Sequence, residues 1–177
     1  MYPKAYVDFL LHFHTDRDYF ECHEILEEYW KKEPPENRQQ VWVALIQIAV
    51  ALYHHRRQNW KGAERMMKKA LLLAYKEQEA IEKLGMDFPK LVQQLEKRSK
   101  DIEHRLPYAS MNLPIKDATL FEMCQNLCKQ LQLQWGKESD LSNEYLLHKH
   151  KLRDRTDVIE ERERRKKLRE KKKEADQ

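Results

Sequence analysis

Val41-Trp42-Val43-Ala44-Leu45-Ile46-Gln47-Ile48-Ala49-Val50-Ala51-Leu52-Tyr53 is the longest apolar stretch of the chain, interrupted only by Gln47. It is shorter than the roughly 20 residues that a membrane helix needs. Apolar almost all round, it reads as a core helix surrounded by others. The residues on either side agree. Three glycines and six prolines in 177 residues leave little material for β-turns, which favours helices joined by short connections. The expected fold class is all-α: a compact bundle of about six helices with a charged C-terminal extension, helical or disordered.

Working outward, the central helix is expected over about 36–57, with Pro34-Pro35 closing the helix before it. That preceding helix, about 17–32, takes Thr15-Asp16 as its cap. A first short helix runs from Pro3 to Phe13. Asn59 caps a fourth helix reaching about Leu84, where Gly85 serves as a C-terminal glycine. A fifth begins at Asp87, a loop covers 107–117, and a sixth ends at about Gly136. A further helical segment starts at Ser142. The domain boundary is placed at 147/148, with residues 1–147 as the bundle and 148–177 as the tail.

The net charge of +4 lies in that tail. Residues 151–177 hold twelve Lys/Arg and eight Asp/Glu, which leaves twenty-two of each sign in residues 1–150. The folded part is formally neutral, so nucleic-acid binding is not expected of the core. The run Arg162 to Lys173 could touch nucleic acid or acidic lipids, but its interleaved glutamates and lack of aromatics favour a solvated extension. Met1-Tyr2-Pro3-Lys4 lacks the apolar run of a secretory signal. Three cysteines, an odd number, argue against a disulfide framework. A cytoplasmic setting is the expectation.

The segment His23-Glu24-Ile25-Leu26-Glu27-Glu28 carries the candidate site. On a wheel of roughly 100° per residue, Tyr19, Cys22, Leu26, Tyr29 and Trp30 form an apolar arc. His23 and Glu27 fall inside it, Glu24 at its margin, and Glu28 faces away. A carboxylate there needs partners, because burying an uncompensated charge costs several kcal/mol. Gln47 and His54 share one face of the central helix, so His23, Glu27, Gln47 and His54 are expected to converge. Three readings stay open: a hydrogen-bond network that fixes packing, a metal site, or an acid–base pair. For zinc, iron or manganese the candidate ligands are His23, Glu27 and His54. His-Glu-x-x-His is absent, since position 27 is Glu, and no helix carries the Glu-x-x-His of di-iron bundles. Cys124 and Cys128 read as core thiols. His12, His14, His148 and His150 are expected to face solvent.

Tyr53, Asn59, Gly62-Ala63 and Ala70-Leu71 give the third and fourth helices the look of a tetratricopeptide unit. No second copy follows at the expected period of about 34 residues, so a single helical hairpin is expected.

Cys22-His23-Glu24-Ile25-Leu26-Glu27-Glu28-Tyr29-Trp30 and Ala44-Leu45-Ile46-Gln47-Ile48-Ala49, followed by His54 and Asn59, resemble the domain-of-unknown-function 309 family of small bacterial and archaeal proteins. The resemblance covers about residues 18–74. Its typical runs are Ala-His-Glu-x-Leu-Glu-x-x-Trp and Gly-Leu-Ile-Gln-x-Ala. Ala44 and Gln58 stand where that family commonly has glycine. The resemblance implies an all-helical bundle, groups His23, Glu24, Glu27, Gln47 and His54 as one set, and implies no activity.

The expected function is a binding or interaction module with a buried His/Glu cluster, with protein partners at the groove of the third and fourth helices or at the tail. The alternative is a metal-dependent or acid–base, hydrolase-like enzyme using His23, Glu27 and His54, with a divalent metal as the candidate cofactor. No nucleophile with an adjacent base, phosphate loop or dinucleotide fingerprint is present, which leans the reading away from an enzyme.

Overall fold

The computed structural model describes residues 1–153 and 156–175. The chain is all-α. Its helices are α1 Lys4–His14, α2 Tyr19–Lys32, α3 Gln40–Arg56, α4 Trp60–Lys76, α5 Gln78–Lys83, α6 Phe88–Glu103, α7 Ala118–Leu131, α8 Glu144–Leu147, α9 Lys149–Leu152 and α10 Thr156–Ala175. A 3-10 turn, Pro35–Asn37, precedes α3. No described helix is long and apolar enough to cross a membrane.

α3 sits at the centre, packed between α2 and α4; α1 covers α2, α6 covers α4, and α7 leans on α1. The all-round apolarity of α3 is used on every side. Leu45, Ile48 and Leu52 have no exposed surface, and each such burial stabilises by roughly 1.5–3 kcal/mol. α2 and α3 run antiparallel: Phe20 meets Tyr53 at one end, and Tyr29 meets Trp42 at the other. α3 and α4 form the expected hairpin.

Several helix ends differ from expectation. α2 is capped by Asp18, whose carboxylate accepts from Glu21 N at 2.9 Å. Thr15-Asp16 could not serve, because the chain must first turn through Arg17 at φ 57°. The expected fourth helix breaks at Glu77 into α4 and α5. α7 stops at Gln132, not Gly136, because Gln132 adopts the left-handed conformation and its N–H folds back on Cys128 and Lys129 carbonyls. Gly136 instead donates its N–H to His14 O at 2.7 Å, which pins the following loop to α1. Gly85 is the C-terminal glycine, at φ 79°.

His14 is the clearest reversal: expected at the surface, it is fully buried. Its Nδ1 donates to Leu10 O at 2.7 Å, its Nε2 accepts from Leu113 N at 2.9 Å, and its ring stacks on Trp135. Both ring nitrogens are committed to the neutral form, and burial pulls the pKa down to about 3. Cys124 and Cys128 are buried free thiols, and burial, then the neighbouring Cys128, pushes Cys124 up to about 11. Of the expected tail, residues 154–155 and 176–177 lie outside the described residues; 156–175 are helical.

Gln58 links α3 to α4 at φ 59°, a conformation that costs an L-residue with a Cβ roughly 1–2 kcal/mol. Gln58→Gly is therefore expected to raise unfolding free energy by about 1 kcal/mol, after glycine's greater unfolded-chain entropy is subtracted. Urea unfolding of the two proteins measures it, and a destabilised glycine variant would mean that the Gln58 side chain makes a compensating contact.

Candidate functional site

Two helical stripes face each other across an open cleft of about 200 Å³. α2 contributes Tyr19, Phe20 and His23; α3 and the residue after it contribute Val50, Tyr53, His54 and Arg57. The spacings of three and four along each helix put these side chains on one face. A third wall comes from the far end of the chain. His150, on α9, lines the same cleft, where its Nδ1 lies 2.6 Å from the Tyr53 hydroxyl and its backbone N–H donates to that hydroxyl at 3.2 Å. His150 was expected in solvent; these two bonds hold it half-buried against the family-like core.

The hydrogen bonds assign the protonation of two imidazoles. Asn59 caps α4 through its Oδ1, which accepts from Gly62 N at 3.2 Å. That leaves the Asn59 Nδ2 to donate to His54 Nδ1 at 3.0 Å. His54 therefore carries its proton on Nε2. Gly62 makes room for this arrangement, since a Cβ there would lie 2.7 Å from Asn59 Nδ2 and 3.0 Å from the His54 ring. Tyr53 accepts from the His150 N–H, and because a phenol is the stronger acid and imidazole nitrogen the stronger base, its proton is directed at His150 Nδ1, which places the ring's own proton on Nε2. Burial, and then the charge of Arg57, pulls the pKa of His54 down. The same two causes bring His150 down to about 4. Both rings are neutral at pH 7. Arg57 supplies the fixed charge of the lining. It lies over the Tyr53 ring at 5.2 Å and forms no ion pair among the described residues.

His23 belongs to a second cluster at the edge of the cleft. Its Nδ1 lies 3.1 Å from Glu24 and its Nε2 3.2 Å from Glu27. Glu27 also meets Lys31 at 2.6 Å, and Glu24 meets Arg153 at 3.6 Å. The His23 contact holds the Glu24 pKa down against burial, with Arg153 and Lys31 adding to it. The side chains are 28% exposed for His23, 33% for Glu27 and 42% for Glu24, so the cluster is open to solvent and not sealed in the core.

The expected set is thus divided. His23, Glu24 and Glu27 come together, with ligand-type atoms within 4.8 Å of one another. His54 faces them across the cleft and is tied to Asn59, so the expected metal trio of His23, Glu27 and His54 is not assembled; Glu24 takes the third place because it is adjacent to His23 on the helix. Gln47 lies one turn before Val50 on α3 and outside the cleft lining. Its Oε1 is buried with no hydrogen-bond partner among the described residues. Sequence reasoning missed Tyr53, Arg57 and His150. Arg57 follows from extending the α3 stripe one turn past His54, and Tyr53 lies one turn past Val50 on the same stripe. Nothing in the periodicity points to His150.

An all-helical bundle whose central hairpin and α2 enclose a His-rich cleft is the class that this fold and site define. The chain belongs to the family described as a domain of unknown function (DUF309), whose model matches residues 6–66. That span starts earlier and ends sooner than the 18–74 read from the motifs. The chain is 53% identical over 163 residues, 92% of its own length and 94% of the relative's, to the "Uncharacterized protein YpuF" of Bacillus subtilis (strain 168). No solved structure matches it.

Proton-detected nitrogen correlation spectra of the imidazoles are expected to find His54 and His150 as neutral Nε2–H tautomers at pH 7. His150 is expected to titrate near 4 and His54 below the ordinary 6.5. Since both folded pKa values lie below the unfolded one, each residue's contribution to stability is full above pH 6.5 and is lost as the pH falls. An Nδ1–H tautomer at either ring would contradict the assigned bonds.

Proposed function

We propose that the chain is a binding module whose cleft captures a small oxyanion, a carboxylate or phosphate, borne by a small molecule or by a partner's side chain. One observation carries this reading: the polar lining opposite His23 offers donors. His54 and His150 present Nε2–H groups, and Arg57 adds a charge with no carboxylate against it. An acceptor-rich ligand matches such a lining, and a charge-assisted bond to Arg57 would contribute about 1.5–3 kcal/mol. Tyr19, Phe20, Val50 and Tyr53 give the ligand an apolar bed. The volume, about 200 Å³, is below the 300–1,000 Å³ usual for drug-sized ligands. It suits one side chain or a compact metabolite.

The test is an NMR titration of the labelled full chain, once with acetate and once with inorganic phosphate, following the His54 and His150 rings and the Arg57 guanidinium. Saturable shifts at all three groups are expected with at least one probe, and the two arms separate carboxylate from phosphate. Arg57→Gln should weaken that binding about tenfold or more. Titrations in which neither probe moves these groups would sink the proposal.

A second reading, a divalent-metal site, draws on the mutual approach of His23, Glu24 and Glu27. A cation there would have to displace Lys31 and Arg153, which already compensate the two carboxylates. Calorimetry of tag-free full chain with Zn²⁺ and with Mn²⁺ decides it. One-to-one binding that Glu27→Gln abolishes supports the metal site, and absence of binding for both ions removes it. An acid–base mechanism has less support, since no hydrogen bond joins His54 to His23 or Glu27 among the described residues.

A further inference from the structure

The cleft's third wall is attached differently from the other two. Residues 144–153 form two helices of four residues each, α8 and α9. Neither approaches the length at which a helix holds itself together in water. Their apolar anchorage is slight: Leu146 is buried, while Tyr145 and Leu152 are more than half exposed. What binds the segment is polar. Lys149 Nζ lies 2.6 Å from Asp18 and 3.3 Å from Glu21, with Lys149 only 16% and Asp18 only 13% exposed. His150 makes its two bonds to Tyr53. The Arg153 guanidinium sits 4.6 Å over the Phe20 ring and 3.6 Å from Glu24. Three successive contacts therefore run along α2, to Asp18 and Glu21, to Phe20 and to Glu24, with Tyr53 opposite.

We infer that residues 144–153 are a strap that docks on and leaves the α2–α3 cleft as one unit, and that the binding site exists only while the strap is docked. A segment held by few apolar and several charged contacts opens at a free energy well below that of global unfolding. Opening does two things at once. It removes the His150 donor from the lining. It also uncovers Asp18, Glu21 and Glu24, three carboxylates spaced three residues apart from the cap of α2 onward, which Lys149 and Arg153 otherwise neutralise. An oxyanion approaching the open form meets one donor fewer and a row of negative charge. It binds the docked form better, and by linkage it holds the strap down. The coupling rests on the oxyanion reading; the docking does not.

Hydrogen-exchange mass spectrometry of the full chain, with and without inorganic phosphate or acetate, tests both parts. The comparison protein is the double variant Lys149→Ala/Arg153→Ala. The expected result is faster exchange in 144–153 than in α3 and α4 of the wild type. In the variant, exchange in 144–153 should accelerate about tenfold or more with α3 and α4 unchanged, which separates strap release from loss of fold. The bound probe should slow 144–153 in the wild type, and the variant should bind it about tenfold more weakly. If 144–153 exchanges only with the core, in the presence or absence of a probe, the strap is overturned. If the probe binds both proteins equally, the site does not need the strap and the inference fails while the cleft reading stands. If no probe binds but 144–153 still opens as a unit that the variant accelerates, the docking stands and the oxyanion reading is what fails.

Discussion

The guanidinium of Arg17 is the contact on which the two halves of the molecule depend. It is 1% exposed. It donates to Phe13 O at 3.0 Å, Met111 O at 2.6 Å, Asn112 Oδ1 at 2.7 Å and Lys137 O at 2.8 Å. None of these acceptors is a carboxylate. A buried charge of this kind is tolerable only when its donors are met, and here carbonyl dipoles do the work of a counter-ion. The acceptors come from the end of α1 and from two loops about a hundred residues later, so one side chain ties the start of the chain to the two long connections of its C-terminal half. The backbone takes part as well. Arg17 O accepts from Arg56 at 2.7 Å, and Arg56 lies over the Tyr19 ring at 4.6 Å. The first residue of α2 and the last of α3 are thereby held together, at the end where the cleft opens.

From that corner the rest follows. α2 and α3 run antiparallel from this join, and their facing stripes become the two walls of the cleft. The loop that delivers Lys137 to Arg17 is also the loop that leads to α8 and α9. His14 reinforces the same join, since it receives the Leu113 N–H and offers its own carbonyl to Gly136. Tyr108 and Ser139 bring hydroxyls from both loops to within 2.8 Å of each other beside this corner. The position of His150 in the cleft is the last step of a path that begins at Arg17.

What was legible in the sequence was local. The all-round apolarity of 41–53 identifies the buried central helix, and the spacing of His23 and Glu27 puts them on one face of α2. Asn59 and Gly85 announce helix ends through side-chain and backbone chemistry that needs no distant partner. The errors lie where partners are distant. His14 looks like a surface residue because the Leu113 N–H that its ring accepts lies 99 positions later. His150 looks like the start of a tail because Tyr53, 97 residues earlier, is what holds it. Periodicity puts Gln47 in line with Val50 and His54 on α3 but does not set its level along the helix. A one-turn offset, about 5.4 Å, separates it from the cleft.

The same division bears on what the site is for. The family-matched span, 6–66, contains both helical walls but not His150, Lys149 or Arg153. Within that span alone the cleft would combine one charged donor, Arg57, and one neutral donor, His54, with the carboxylates of Asp18, Glu21 and Glu24 deprived of Lys149 and Arg153. Those two features oppose each other for any single ligand: the donors favour an oxyanion, and the carboxylates repel it. The C-terminal strap resolves the conflict by placing a third donor inside the cleft and two cations on its acidic rim. The charge pattern of the cleft is therefore a property of two segments of chain brought together.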